Sequence, residues 1–124
     1  YKTSEMPAFY STKSGFNVDY RIDAATDIAG ILKTKWDLSI DGGVLVTNPI
    51  PVAFELESSV MNEAINLAII EADNENITGK KITPYLLSKV NEITKGKSLD
   101  ANIKLIKNNA DLAAKIAVHF SKKD

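Results

Sequence analysis

Apolar residues recur at intervals of three and four along four stretches of this chain. Ile28, Ile31, Leu32 and Trp36 form the first stripe, which predicts a helix capped by Asp23. Val60, Met61, Ala64, Ile65, Ala68 and Ile69 form the second, in a helix opened by Ser58 or Ser59 and running to about Asp73. Leu86, Leu87, Val90 and Ile93 form the third. Thr83-Pro84 is its start signal, a capping hydroxyl and then proline at the first helical position, and Gly96 its end. Leu99, Ile103, Ile106, Ala110, Ala113, Ala117 and Phe120 form the last, capped by Ser98. Two shorter stretches read as strands. In Asn17–Ile22, Val18, Tyr20 and Ile22 alternate with Asp19 and Arg21. Val44-Leu45-Val46 is a continuous apolar run between the turn Asp41-Gly42-Gly43 and the stop Asn48-Pro49-Ile50-Pro51. Residues 1–17 look irregular, punctuated by Pro7 and Gly15, yet they carry Met6, Phe9, Tyr10 and Phe16.

These elements predict an α/β fold with one tension in it. A strand apolar on both faces is an interior strand covered by helices on both sides. Interior strands need neighbours on both edges, because buried backbone groups without partners are costly. Asn17–Ile22 is the single other candidate strand. Either missing sequence or another chain completes the sheet, or the strand count is wrong; missing sequence is the preferred reading, and this chain alone is not expected to be a well-folded monomer. An opening of Tyr1-Lys2-Thr3, with neither an initiator methionine nor a signal peptide, adds the expectation that the true N-terminus is missing.

Composition narrows the chemistry. The 124 residues (13.5 kDa) are 44% hydrophobic and 25% charged, ordinary values for one globular domain or a piece of one. With no cysteine there is no disulfide, thiolate metal site or thiol nucleophile. One histidine, His119, excludes a multi-histidine zinc site, and in the last turn of a helix its imidazolium would favour the helix C-terminus. No apolar run reaches the ~20 residues that cross a bilayer. Charge is uneven. Residues 1–77 hold five basic against twelve acidic residues, and residues 78–124 ten lysines against four acids. Those lysines are dispersed and lack interleaved aromatics, so they read as wet helix faces, not as a nucleic-acid surface.

No phosphate-cradling Gly-rich loop opens a helix, and Gly42-Gly43 is a tight turn. The carboxylates Glu55 and Glu57, and Glu71, Asp73 and Glu75, lie on polar stretches that offer no desolvated site for a general acid. Asparagines are the better candidates. Asn48 ends an apolar strand, where ligands of layered α/β folds often sit. Asn102 falls in the first turn of the last helix, where backbone N–H groups are free. Asn108 and Asn109 stand mid-helix, where asparagine is a poor helix former. An amide offers two donors and an acceptor, suited to a nucleobase edge or a sugar hydroxyl, although a cap or a structural hydrogen bond uses the same groups.

Taken together, several segments resemble the pseudouridine-5′-phosphate glycosidase family, also called indigoidine-synthase-A-like. They are Glu5-Met6-Pro7-Ala8-Phe9-Tyr10-Ser11, Tyr20-Arg21-Ile22-Asp23, Lys35-Trp36-Asp37-Leu38, Gly42–Val46 with Asn48–Pro51, Gly79–Leu87, Ser98–Ile103 and Asn108-Asn109-Ala110. They occur in the family's order over nearly the whole chain, and the resemblance covers the C-terminal part of the family's single domain, less than half of it.

The resemblance implies the C-terminal portion of an α/β/α layered domain with a mixed sheet. It implies an enzyme, by convention a carbon–oxygen lyase, that reversibly cleaves the C–C glycosidic bond of pseudouridine 5′-phosphate to uracil and ribose 5-phosphate. The family's catalytic lysine forms an imine with the opened sugar, a covalent route that supplies an electron sink. A glutamate moves protons, and a divalent metal, typically manganese, sits beside the substrate. All three protein groups lie in the family's N-terminal part, so no catalytic residue and no metal ligand is assigned here. A cytoplasmic homotrimer, with no nucleic acid and no membrane involved, is implied as well. Asn102 carries over as the asparagine that points at uracil, and Asn48 is the second substrate-binding candidate. Two departures from the family stand out: Val52-Ala53 replaces the usual acidic residues after Pro51, and Lys95 stands where glycine is common. The alternative reading is a non-catalytic assembly or ligand-binding module derived from that family, inactive as these 124 residues.

Overall fold

The structure, a computed structural model, describes residues 1–8 and 10–122. Phe9, one of the apolar groups noted in the N-terminal loop, lies outside the described residues, as do Lys123 and Asp124. The described residues form four helices: α1 (Ala25–Asp37), α2 (Ser58–Asn74), α3 (Ile82–Ile93) and α4 (Lys97–Ser121). Short 3₁₀ turns at Val52–Phe54 and Gly79–Lys81 precede α2 and α3. α1 lies along α4, α2 along α3, and α3 touches α4.

The core gathers Met61, Ala64 and Ala68 of α2, Val90 of α3, and Ala101 and Leu105 of α4, with Leu56, Ile65 and Leu86 against them. Alanines on α2 and α4 let helix backbones approach closely. Two loop residues, Tyr10 and Ile50, complete this cluster. Burying a side chain such as Ile50 or Met61 stabilises by ~1.5–3 kcal/mol, so the loops are pinned by what they insert between the helices.

The helix starts differ from expectation. None of the four helices has a side-chain cap. Asp23 is engaged by Arg21 at 3.0 Å, and α1 begins at Ala25. Ser59 donates to Glu57 at 2.6 Å. Thr83 and Pro84 sit inside the first turn of α3, a position where proline is tolerated. Ser98 is buried inside α4, and its N–H donates to the Thr94 hydroxyl at 3.2 Å. The helix ends share one device. Ser39, Asn76 and Lys95, the residues just past α1, α2 and α3, all have positive φ, of 52°, 55° and 52°. The next residue in each case donates back across the last turn: Ile40 to Lys35, Ile77 to Ala72 and Gly96 to Asn91. This is the left-handed C-terminal motif that satisfies orphan carbonyls.

The buried face of α4 also differs. Ser98, Ala101, Leu105 and Leu112 are buried, whereas the expected stripe of Leu99, Ile103, Ile106, Ala110, Ala113, Ala117 and Phe120 is exposed. The two apolar arcs lie roughly a third of a turn apart on the helix. The chain fills one of them.

Neither expected strand forms. Among the described residues there are two isolated bridges, Glu5 with Asn17 and Ala8 with Ser11, and no mixed sheet. Residues 17–22 instead run antiparallel to the N-terminal segment in an irregular pairing. Lys2 N–H donates to Ile22 at 2.8 Å, Val18 N–H to Ser4 at 3.1 Å, and Met6 N–H to Phe16 at 2.7 Å. Residues 43–46 form no regular element, and none of their backbone groups makes a hydrogen bond among the described residues. The physical reason is the one the pattern implies: no second edge is available to them.

Candidate functional site

The start of α4 is where loop and helix chemistry meet. Tyr10 is buried there and shares a hydrogen bond with Ser98; its phenol is pushed up by burial, and the Ser98 bond opposes that rise. Asn102 lies four residues after Ser98, on the same side of the helix. It is half-buried, and its amide has no hydrogen-bond partner among the described residues. It thus stands beside a fixed tyrosine–serine pair with both donors and its acceptor uncommitted.

The loop that brings Tyr10 to this place is clamped by two carboxylates. Glu55 Oε1 accepts from the Thr12 N–H at 2.7 Å, the Thr12 hydroxyl at 2.9 Å and the Ser11 hydroxyl at 3.0 Å. These donors, the Thr12 N–H foremost, hold the Glu55 carboxyl below its ordinary value. Glu5 accepts from the N–H groups of Ser14 and Gly15, and those bonds lower its carboxyl as well. Leu56 N–H donates to Tyr10 at 3.1 Å. Glu55 therefore has a structural task. No local pattern pairs it with Thr12, 43 positions away.

Asn48, in the loop before α2, meets the same helix farther along. Its Nδ2 donates to Asn109 Oδ1 at 3.2 Å, and Asn108 Nδ2 donates to the Pro49 carbonyl at 3.0 Å. These two bonds explain the mid-helix asparagines. They fasten Asn48-Pro49 to α4 so that Ile50 enters the core. Asn48 and Asn108 line a cavity of about 630 Å3 together with Arg21, Ile50, Asp111 and Lys115. Asn102 does not line it. Asn109 lies two turns beyond Asn102 on nearly the same face, about 10 Å along the axis. Asn102 and the Asn48–Asn109 contact therefore lie on one side of α4 but do not share a cavity.

The lysines of the C-terminal part behave as dispersed surface charges. Lys89 pairs with Glu71 at 2.9 Å, Lys115 with Asp111 at 2.5 Å, and Lys104 lies over the Phe54 ring at 4.8 Å. His119 sits half-buried in the last turn of α4. Among the described residues no three carboxylate or imidazole groups converge to hold a metal ion. The residues present therefore do not fit a divalent metal, and no step is drawn through one. No helix among them is long and apolar enough to cross a membrane.

Comparison with known proteins now fixes the family. The sequence profile described as "indigoidine synthase A like protein" matches residues 1–119. The pseudouridine-5′-phosphate glycosidase of Caldanaerobacter subterraneus is 50% identical over 122 residues, 98% of this chain and 40% of that protein. An indigoidine synthase A-like protein from Thermotoga maritima superposes with a TM-score of 0.86 at 31% identity, over 98% of this chain and 40% of that one. The prealnumycin C-glycosynthase AlnA, solved in complex with ribulose 5-phosphate, superposes with a TM-score of 0.84 at 26% identity and the same coverage. The chain spans about two fifths of the length of these relatives and corresponds to their C-terminal part. It belongs to the indigoidine synthase A-like family.

Proposed function

We propose that these residues form the nucleobase-facing part of an enzyme that reversibly cleaves the C–C glycosidic bond of pseudouridine 5′-phosphate. The observation that carries this reading is Asn102, a half-buried amide beside the Tyr10–Ser98 pair with no hydrogen-bond partner among the described residues. Uracil presents N–H donors and carbonyl acceptors, the complement of an amide's acceptor and donors. The relatives' name supports the substrate, and the C-glycosynthase with its bound sugar phosphate supports related chemistry at a C-glycosidic bond. Asn48 takes a supporting part at the far end of the same helix face.

In this reading the layered α/β/α domain, its mixed sheet, the imine-forming lysine, the proton-moving glutamate and the metal ligands belong to the part of the fold outside this chain. In the same reading the intact enzyme is a homotrimer, as the family resemblance implies, and it is cytoplasmic, because its phosphorylated substrate is charged and does not cross membranes unaided.

Asn102→Ala in the intact enzyme tests the assignment. Losing one partner of a buried polar pair costs ~1–3 kcal/mol, so kcat/KM on pseudouridine 5′-phosphate should fall about 5- to 150-fold. The melting temperature should barely move, because the amide holds nothing within the fold. Intact activity with markedly earlier melting would make Asn102 structural and remove the support for this function.

A further inference from the structure

Asn102 sits on a seam of α4. On one side of it lies the buried arc of Ser98, Ala101, Leu105 and Leu112. On the other side lie large apolar side chains that stay open: Leu99 is 50% exposed, Ile103 40% and Ile106 58%. With about 3.6 residues per turn, Ile106 stands about 40° and Leu99 about 60° around the helix from Asn102, away from the core. Leu99 precedes the amide by three positions and Ile106 follows it by four, the two spacings at which helical side chains meet. One polar group is thus set at the edge of an apolar surface about 10 Å long.

Beyond Ile106 the same arc changes character. It continues as Ala110, Ala113 and Ala117, all exposed, before Phe120 near the end of the helix. The bulky side chains around Asn102 therefore form a patch of their own. A purely apolar occupant of that patch would strand the Asn102 amide, which has no hydrogen-bond partner among the described residues, and an unmade buried hydrogen bond is costly. The patch fits a group that is apolar on its face and polar at its rim. A pyrimidine base is such a group, and small-molecule sites combine an apolar lining with a few placed polar groups in the same way.

We propose that Leu99 and Ile106 form an apolar shelf that takes one face of the nucleobase, with Ile103 extending it, while Asn102 reads the edge of the ring. Two kinds of selection then come from two turns of one helix. The amide selects a hydrogen-bonding pattern, and the shelf selects a flat apolar face. The sugar phosphate takes no part in this contact. The inference deepens the reading of Asn102 as the base-facing residue and rests on it.

Kinetics of the intact enzyme in the direction of synthesis test it, because base and sugar phosphate then bind as separate molecules. Leu99→Ala and Ile106→Ala should each raise the KM for uracil roughly 3- to 20-fold, since each removes two or three carbons of contact that the base covers in part. The KM for ribose 5-phosphate should not move. Ile106→Leu, which keeps the apolar area, should stay near the native value. Ile106→Val, too small a change to unfold the enzyme, should give a smaller rise confined to uracil. Equal rises for both substrates would make these side chains contacts of the fold and overturn the proposal, as would earlier melting with an unchanged KM for uracil. Asn102→Ala in the same assay separates the shelf from the reading beneath it. If Asn102→Ala weakens uracil and the shelf variants do not, the shelf is wrong and the reading of Asn102 stands. If the shelf variants weaken uracil selectively and Asn102→Ala does not, the shelf stands and the edge assignment falls. An intact enzyme that joins no uracil to ribose 5-phosphate overturns both.

Discussion

The helices α2, α3 and α4 and the irregular segments at 17–22 and 43–47 are built from equally apolar sequence, yet they end in opposite states. Ala64, Ala68 and Val90 are almost wholly buried. Val44, Leu45 and Tyr20 are exposed, the last two at 81% and 85%. The difference lies in where the backbone finds its partners. A helix satisfies its own N–H and C=O groups and needs only a neighbour for its side chains. A strand needs a second backbone. When both kinds of segment come from a larger layered fold, the helices can still pack among themselves, and the strands are left open.

The comparison is broken most directly by paired substitutions in the chain alone. Met61→Ala removes a buried side chain from the helical core and should cost about 2–4 kcal/mol. Leu45→Ala removes an exposed one and should change stability by less than about 0.5 kcal/mol. Thermal melting followed by helical circular dichroism reads both. Equal losses would mean that the irregular region is packed after all.

The same contrast explains what could be read from sequence. The existence and approximate extent of all four helices were legible, because their periodicity is internal to each segment. The buried face of α4 was not. Leu105 and Leu112 mark one apolar arc, and Leu99, Ile103 and Ile106 mark another. Only the position of α1 and α3 decides which is covered here. The capping serines and Asp23 were misplaced because each found a different partner: Arg21 for Asp23, Glu57 for Ser59, and Tyr10 with Thr94 for Ser98. Val44–Val46 has the two-faced apolar pattern of an interior strand, yet among the described residues it forms no strand and makes no backbone hydrogen bond. At the site, Asn102 could be named from its motif. Asn48 could be named from its place after an apolar run, but its bond to Asn109, 61 positions away, could not.

Glu55→Gln sharpens the comparison at the seam where the N-terminal loop is fastened to the helices. The Thr12 N–H, with the hydroxyls of Thr12 and Ser11, holds the Glu55 carboxyl below the ordinary 4.5. A carboxylate whose folded value is depressed contributes stability that is fully present above its unfolded value and is lost as pH falls through the folded one. Glutamine keeps the acceptor but loses the charge assistance, at a cost of ~1 kcal/mol near neutral pH. The difference in melting temperature between native and variant chains should therefore be a few degrees at neutral pH and should vanish under strongly acidic conditions. A difference independent of pH would show that Glu55 acts through packing and not as an anion.

Lys95→Gly has the smallest expected effect and tests whether the helical half is stabilised locally. Lys95 closes α3 at φ 52°, in the left-handed region that costs a non-glycine residue about 1 kcal/mol or more. Glycine adopts that conformation freely, at an entropic cost in the unfolded chain of ~0.5–1 kcal/mol. The net gain is therefore small, about 0.5 kcal/mol, or a degree or two in melting temperature. The bonds from Lys95 N–H to Glu92 and from Gly96 N–H to Asn91, at 3.1 and 3.0 Å, are backbone bonds that the substitution preserves. Because this joint lies between α3 and α4, the gain should appear as slower exchange in those two helices. Exchange at Val44–Val46 should not change, since nothing in the helical half supplies the partner that those residues lack. A gain that also reached Val44–Val46 would show that the two regions are coupled within this chain, and would break the division between them.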